Sequence, residues 1–208
     1  MADVSTLSRP LAREVAPHYY HAGRRGPQVG APGVTLSFVS QEDRFNVEAR
    51  RGRGQELLAA LAAAFGRAPV DAPRTVSAGG FDFVGIGPMR WHAISRGPGA
   101  EERRAALTAA ARDAATVVDL SHGFAAFRLS GPNAREALAS FVPVDLDEAS
   151  FPPGACAMTM AHMMSVQIRR TPDGAAYECA VARSFGGSLL HALTSTCERF
   201  GLEIEPPR

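Results

Sequence analysis

The chain has 208 residues, of which 46% are hydrophobic and 21% are charged, and its formal net charge is +1. This composition is ordinary for a globular protein, and so small a net charge argues against nucleic acid or an anionic membrane as the main partner. All 22 basic residues are arginine, which excludes Schiff-base catalysis by lysine, a covalent pyridoxal link and a P-loop lysine.

The cysteines and the apolar runs indicate the compartment. Cys156, Cys179 and Cys197 form no C-x-x-C pair, and their odd number argues against a closed disulfide framework. Reduced thiols in a cytoplasm are the simplest interpretation. The N-terminus lacks the apolar core of a signal peptide, and the longest apolar run, Leu57–Phe65, is too short to cross a bilayer. We therefore expect a soluble, cytoplasmic protein.

The first part of the chain divides into an arm and a lobe. Residues 1–31 carry scattered Pro, Gly and Arg without a sustained period, and we expect an extended N-terminal arm there, one that lies on a partner. Residues 32–116 form a predicted first lobe, in which helical spacing of Leu57 and Leu61 is followed by Gly66 as a helix end. The predicted strands are 34–39, 44–50, Arg74–Ala78, Phe81–Ile86 and Arg90–Ser95, and the predicted helices are Gly54–Phe65 and Ala100–Arg112.

The same order of elements recurs in a predicted second lobe, residues 117–208. Its predicted strands are Val117–Leu120, Phe124–Leu129, Cys156–Ala161, Ser165–Arg170 and Tyr177–Ala182, and its predicted helices are Pro132–Phe141 and Phe185–Phe200. Each lobe thus repeats the order strand, strand, helix, strands, helix. The expected fold class is α+β, with two pseudo-repeated lobes that form one compact unit and helices that cover the sheets.

Three residues in one short run, Asp119, Ser121 and His122, invite comparison with a hydrolase triad. In a Ser–His–Asp triad the imidazole bridges the serine and the carboxylate, and the partners come from distant chain segments. In an extended run Asp119 and Ser121 share one face while His122 points to the other. We therefore predict that Asp119 and Ser121 are turn residues that bond their own backbone before Gly123.

The run V-G-I-G-P-M-R-W at residues 84–91 is a weak match to a nucleotide-binding loop. A dinucleotide fingerprint needs a third glycine where Arg90 stands and a helix immediately afterwards. Pro88 and a following strand with Trp91 break both conditions, and so we predict a tight turn with a packed tryptophan.

Metal ligands are sparse. His18 and His21 have the spacing of one helical turn, but neither an H-E-x-x-H motif nor a cysteine pair supplies the three or four ligands that a zinc site needs. The methionine-rich run Met158–Met164 suits either an adaptable contact surface or a loosely specified core.

The best candidate anion site is R-S-F-G-G-S at Arg183–Ser188. Ser184 is placed to cap the last helix, Gly186 and Gly187 leave the first helical amides uncovered, and Arg183 offers a planar fork for a carboxylate. Such a site would hold a substrate or folate carboxylate, or an acidic residue of a partner. A buried cap with a salt bridge is the structural alternative.

Several stretches in a fixed order resemble the gamma subunit of heterotetrameric sarcosine oxidase. The matching stretches are G-I-G-P-M-R-W at 85–91, V-D-L-S-H-G at 118–123, R-L-S-G-P-N-A-R-E-A-L at 128–138, V-D-L at 144–146, F-P-P-G-A-C-A-M-T-M-A at 151–161, A-R-S-F at 182–185 and the final F-G-L. Each is weak alone, but their order and spacing are specific and cover nearly the whole chain after the arm.

The resemblance implies a fold like the folate-binding domain of the glycine-cleavage T-protein. It also implies a complex with alpha, beta and delta subunits that demethylates sarcosine to glycine, forming hydrogen peroxide and 5,10-methylenetetrahydrofolate. The resemblance places FAD, FMN, NAD and zinc on the other subunits, so that this chain holds no cofactor and no metal. The family commonly has G-P-D-E-W where this chain has G-P-M-R-W, which makes Arg90 and Trp91 candidate subunit contacts.

We therefore expect a small non-catalytic gamma subunit of an oxidoreductase, with no nucleic-acid or membrane partner. Three alternatives stay open: a stand-alone folate-binding or aminomethyltransferase-like module, for which Asp82 and Glu178 are candidate pterin anchors, a subunit of a related complex that demethylates another N-methyl amino acid, and a scaffold.

Overall fold

The computed structural model describes residues 20–40 and 42–206, so that residues 1–19 of the predicted arm lie outside the described part. The helices are α1 (Gly54–Phe65), α2 (Ala100–Ala111), α3 (Ala134–Ala139) and α4 (Gly186–Cys197), with 3-10 turns at Arg183–Phe185 and Glu198–Phe200. The strands are β1 (Gly23–Arg25), β2 (Val34–Phe38), β3 (Glu42–Ala49), β4 (Thr75–Ala78), β5 (Phe81–Gly87), β6 (Arg90–Arg96), β7 (Ala115–Asp119), β8 (Phe124–Ser130), β9 (Cys156–Ala161), β10 (Met164–Arg170), β11 (Ala176–Ala182) and β12 (Leu202–Ile204).

The strands form two sheets. The larger has the order β1-β12-β2-β8-β11-β10-β9, and the smaller has the order β4-β5-β6-β3-β7. Every described pairing is antiparallel except that of β12 with β2. The predicted α+β class and the repeated order of elements are therefore present.

The sheets do not follow the predicted lobe boundaries. β2 comes from the predicted first lobe but pairs with β8 in the larger sheet, and β7 comes from the predicted second lobe but pairs with β3 in the smaller one. Apart from β1 and β12, the two sheets have the same internal order, so that each repeat gives its first strand to the other sheet.

Helices cover the outer face of each sheet. Alternate residues of the larger sheet, such as Phe127 and Ile168, form one core with Leu189 and Leu193 of α4. In the smaller sheet Trp91 belongs to a second core, to which the helices α1 and α2 contribute these buried leucines: Leu57, Leu61 and Leu107. The molecule therefore has four layers, with helices outside and the two sheets facing each other.

Helix α1 shows how local sequence sets these boundaries. Its buried leucines lie four residues apart on one face, and it ends where Gly66 adopts a left-handed conformation and donates to the carbonyl of Ala62. None of the described helices is long and apolar enough to span a membrane. Cys156, Cys179 and Cys197 are free thiols, and all three are buried.

Two predictions about the termini need correction. The predicted arm contains a strand, because β1 pairs with β12 at the edge of the larger sheet. The predicted final helix, Phe185–Phe200, is shorter, because 3-10 turns flank α4 on both sides and β12 follows.

Candidate functional site

The faces that the two sheets turn toward each other carry a layer of charged side chains. Three arginines and three carboxylates from both sheets bond one another there. The members of this inter-sheet network are Glu42 and Arg44 on β3, Asp82 on β5, His92 and Arg96 on β6, Gln167 and Arg169 on β10 and Glu178 on β11.

Arg44 is the centre of one half of the network. Its guanidinium donates to Glu42 Oε1 at 2.6 Å, to the side-chain oxygen of Gln167 and, at 3.0 Å, to Nδ1 of His92. Because a guanidinium has only donors, His92 Nδ1 accepts this hydrogen bond and the imidazole is neutral. This half of the network thus joins β3 and β6 of the smaller sheet to β10 of the larger.

Arg169 is the centre of the other half. It donates to Glu178 Oε2 at 2.6 Å and to Asp82 Oδ2 at 2.9 Å. Arg96 connects the halves, because its Nη2 lies 2.6 Å from Glu42 Oε2 and 2.8 Å from Glu178 Oε2. The candidate pterin anchors Asp82 and Glu178 are therefore brought together, but one oxygen of each carboxylate is bound to Arg169.

Burial and neighbouring charges set the protonation states. Burial by itself raises the pKa of Glu42, but the positive charges of Arg44, Arg96 and Arg169 outweigh burial and lower that pKa to about 2. The pKa of His92 is lowered to about 4, mainly by burial and secondly by the positive charge of Arg44. At neutral pH the network thus holds an ionised glutamate and an uncharged histidine.

This arrangement clamps the sheets together rather than activating a reacting group. A general base or nucleophile needs an uncommitted lone pair within reach of its substrate, and each carboxylate of the network is engaged by arginine. One oxygen of these carboxylates, Glu178 Oε1, is nevertheless buried without a hydrogen-bond partner and lies 3.7 Å from Arg128 Nη1. Among the described residues, no group of three or more His, Cys, Asp or Glu could hold a metal ion.

A surface cavity of about 490 Å³ adjoins the network. Asp82 and Arg96 line it together with Ser77 and the turn at Gly79–Gly80. Asp82 Oδ1 accepts a hydrogen bond from Ser77 Oγ at 2.6 Å. The cavity therefore presents polar groups of both charges to a small polar molecule.

The structure corrects the predicted capping of α4. Ser184 does not cap the helix, because the N-cap is Phe185 and no side chain makes a capping bond there. The 3-10 turn that contains Arg183 and Ser184 intervenes, and the Gly186 amide donates to the carbonyl of Arg183. The Gly186 amide is thus used by the backbone, while Gly187 lies one residue into α4. Whether this segment binds an anion stays a prediction.

The turn at residues 119–123 is built as predicted. Asp119 Oδ1 accepts hydrogen bonds from the amide and the hydroxyl of Ser121, at 2.9 and 2.7 Å. Ser121 Oγ in turn accepts from the Arg44 amide at 3.2 Å. His122 makes no hydrogen bond to either residue within this described turn, and so the three do not form a triad.

The two candidate contacts after the glycine-rich run lie in different surroundings. Trp91 is fully buried in the core of the smaller sheet and donates its indole N–H to the carbonyl of Val70 at 2.8 Å. The packed tryptophan is therefore confirmed, and its side chain does not reach the surface. Arg90 is exposed and forms an ion pair with Glu48 at 2.6 Å.

The network is the feature that sequence reasoning missed. Several of its members, such as Asp82, His92 and Gln167, are single polar residues between two apolar neighbours on a strand. That alternation is the usual pattern of a strand with one solvated face. No local signal distinguishes solvent on that face from a second polar sheet.

Both the sequence and the fold of the chain match known proteins. The model of the sarcosine oxidase, gamma subunit family matches residues 51–197. A solved structure of heterotetrameric sarcosine oxidase from Corynebacterium sp. U-96, in complex with pyrrole 2-carboxylate, is 26% identical over 91% of this chain and 94% of that chain, with a TM-score of 0.72. No curated protein matches the chain.

A second solved structure shows the fold. The glycine cleavage system aminomethyltransferase T from Bartonella henselae is 15% identical, covers 84% of this chain and 48% of its own, and has a TM-score of 0.59. This likeness confirms the predicted fold, in which the chain corresponds to about half of the aminomethyltransferase.

Proposed function

The chain belongs to the sarcosine oxidase, gamma subunit family, and we propose that it serves a heterotetrameric sarcosine oxidase as a subunit that contributes no catalytic group. One observation carries this proposal. The likeness to the heterotetrameric enzyme spans 91% of this chain and 94% of the other, so that the whole folded body, rather than one motif, corresponds to a subunit.

The inter-sheet network supports a structural role. Its carboxylates are held by arginines that themselves come from both sheets, and a group so engaged is poorly suited to proton transfer. The buried thiols point the same way, because burial raises the pKa of Cys156 to about 11 and that of Cys197 to about 12. A thiol with so high a pKa is a poor nucleophile at neutral pH.

The complex takes two electrons and two protons from the methylated amine and passes them to oxygen. In the proposed reaction sarcosine loses its methyl carbon to tetrahydrofolate as the methylene adduct, glycine is released and oxygen is reduced to hydrogen peroxide. FAD, FMN, NAD and zinc belong to the alpha, beta and delta subunits in this proposal. A related N-methyl amino acid is the alternative substrate.

Co-expression tests the proposal. The tagged chain, produced together with alpha, beta and delta subunits of a sarcosine oxidase from the same organism, is expected to purify with them. The purified complex should show a flavin absorbance spectrum and sarcosine-dependent peroxide formation. The same tagged chain produced alone is expected to show neither flavin absorbance nor peroxide formation. Amine oxidation by the isolated chain would contradict the proposal, and so would failure of the four chains to associate.

A second function, a stand-alone folate-binding module, draws on the cavity beside Asp82 and Arg96. Calorimetric titration of the isolated chain with tetrahydrofolate distinguishes the two functions. If the chain is a folate-binding module, the titration should show a saturable heat of binding that Asp82→Asn reduces. If the chain is a purely structural subunit, no heat of binding is expected at millimolar ligand.

A further inference from the structure

β9 is an edge strand whose outer side is open over most of its length. Of the described strands only β10 pairs with it, from Cys156 to Ala161. The amide of Cys156 points away from β10, because it donates to the carbonyl of Pro73 at 3.1 Å. In an antiparallel ladder the amide and carbonyl of every second residue point to the same side. The backbone groups of Met158 and Met160 therefore point outward as well.

The side chains along this edge are apolar and exposed. Met158, Met160 and Met163 are 44%, 56% and 89% exposed, and we call these three residues the methionine edge. From residue 156 to residue 168 the sequence has no charged residue. Edge strands of monomeric proteins are usually protected by charged side chains, proline or bulges. An uncharged, methionine-lined edge lacks that protection.

The hairpin tip next to this edge is strained. His162 and Met163 form the turn between β9 and β10 with φ angles of 46° and 65°. The corresponding turn between β4 and β5 in the other sheet uses Gly79 and Gly80, with φ angles of 57° and 80°. Glycine adopts this conformation at little cost, whereas bulky residues do not. The second repeat thus has a strained hairpin tip, with Met163 at the position where the first repeat has Gly80.

We propose that the methionine edge is where another subunit of the oxidase adds an extended segment to the larger sheet, as an eighth strand beside β9. This inference rests on the proposed function. The expected segment is uncharged and carries apolar side chains at alternate positions, because a charged residue facing Met158 or Met160 would lose its hydration without a partner.

The edge is already used in this way at its beginning. Arg74, just before β4, forms an antiparallel bridge with Ala155, just before β9, and beside this bridge the Cys156 amide donates to the carbonyl of Pro73 at 3.1 Å. An added strand at Met158 and Met160 would continue that pairing. Flexible, polarisable methionine side chains adapt to such a neighbour without rearrangement of the sheet.

Oxidative footprinting of the assembled complex tests the proposal directly. Dilute hydrogen peroxide is added to the isolated chain and to the co-expressed complex, and sulfoxide formation at each methionine is followed by peptide mass spectrometry. Met158 and Met160 are expected to oxidise at least tenfold more slowly in the complex. Equal rates in the two samples would overturn the proposal.

Substitutions test separately how the side chains and the backbone of the methionine edge contribute to assembly. Met158→Glu with Met160→Glu is expected to reduce recovery of the chain with the complex at least tenfold. Val118→Glu, at a valine of similar exposure on the edge strand β7, is the matched control and should not. Met158→Pro removes the outward amide as well as the side chain, whereas Met158→Ala removes the side chain alone. Because the amide is not bonded to β10, the proline variant is expected to leave the isolated chain folded, as judged by circular dichroism, while it reduces recovery more than Met158→Ala does.

The outcomes distinguish this inference from the proposed function. If the wild-type chain does not associate with the other subunits, the proposed function fails. If the wild-type chain associates but both the glutamate and the proline variants are recovered as well as wild type, only the inference about the methionine edge fails. A chain that dimerises through this edge when alone, and loses the dimer in the glutamate variant while still joining the complex, would also overturn the inference.

Discussion

Buried charge in this protein is balanced within a few ångströms. Two arginines of the inter-sheet network, Arg96 and Arg169, pair with carboxylates from both sheets, as Arg169 does with Asp82 and Glu178. Arg44 pairs with Glu42 of its own sheet and donates to Gln167 of the opposite one. Such pairs add little net stability over apolar residues, but removal of one partner leaves an uncompensated buried charge. The network therefore makes the sheets dependent on every member, and this dependence is measurable residue by residue.

Removal of Arg169 is expected to be costly. Arg169→Met leaves Glu178 and Asp82 without their main partner and should lower the free energy of unfolding by about 3–5 kcal/mol. The matched control is Arg90→Met, which breaks an ion pair of similar length with Glu48 at the surface and should cost less than about 1 kcal/mol. Urea unfolding of both variants checks the difference, and equal losses would contradict a buried network.

The stability of the chain should fall when the pH drops below 6.5. His92 has a pKa of about 4 in the folded protein against 6.5 for an ordinary histidine, so that between these values the unfolded chain binds a proton that the folded chain does not. Unfolding is therefore favoured as the pH falls. From pH 7 to pH 5 the loss from this residue is expected to be about 2 kcal/mol.

His92→Gln tests the assignment. Glutamine is neutral at both pH values and can still accept a hydrogen bond from Arg44. Denaturant unfolding at pH 7 and pH 5 should show that the variant loses about 2 kcal/mol less than wild type between them. Equal losses in the free energy of unfolding of the two proteins would show that His92 is not the group responsible for the pH dependence.

The secondary-structure elements show which patterns are visible in a sequence. Helices α1, α2 and α4 were predictable because one face of each packs on a sheet, which imposes helical spacing on their buried residues. β1 and β12 were not, because three residues are too few to show a period. The order of the strands within each sheet was also not predictable, since pairing joins residues far apart in the chain.

At Gly85 the geometry of β5 requires glycine. A β-carbon there would lie 2.1 Å from the carbonyl oxygen of Ala72, in the connector that crosses to β9. The Gly85 carbonyl also accepts a hydrogen bond from the buried thiol of Cys156 at 3.2 Å. Gly85 thus lies where both the connector before β4 and the first residue of β9 approach β5.

Gly85→Ala is expected to force this junction apart. The variant should lower the free energy of unfolding by about 1–3 kcal/mol, because the obstacle is backbone rather than a flexible side chain. Gly87→Ala, two residues along the same strand and with no atom within 4 Å of the added carbon, should change it by less than about 0.5 kcal/mol. Thermal unfolding of the pair gives the comparison, and similar melting temperatures would contradict the close approach.

The whole molecule is a duplicated fold with exchanged first strands. The repeat itself was visible in the sequence, because both halves show the same order of strands and helices. The exchange was not, because β2 and β7 have the same alternating pattern whichever sheet they join. The predicted boundary at 116/117 therefore falls within β7 and separates most of that strand from the remainder of its own sheet.

The exchange predicts which fragment folds alone. Residues 42–119 contain every strand of the smaller sheet, from β3 to β7, together with α1 and α2 and their shared core. Residues 32–116 include the unpartnered β2 but lack most of β7. Trp91, the single tryptophan, lies in that core and reports its formation. We expect cooperative unfolding by tryptophan fluorescence for fragment 42–119 and a broad, non-cooperative change for fragment 32–116. If 32–116 unfolded as cooperatively as 42–119, or if neither did, β7 would not be what completes the smaller sheet as an independent unit.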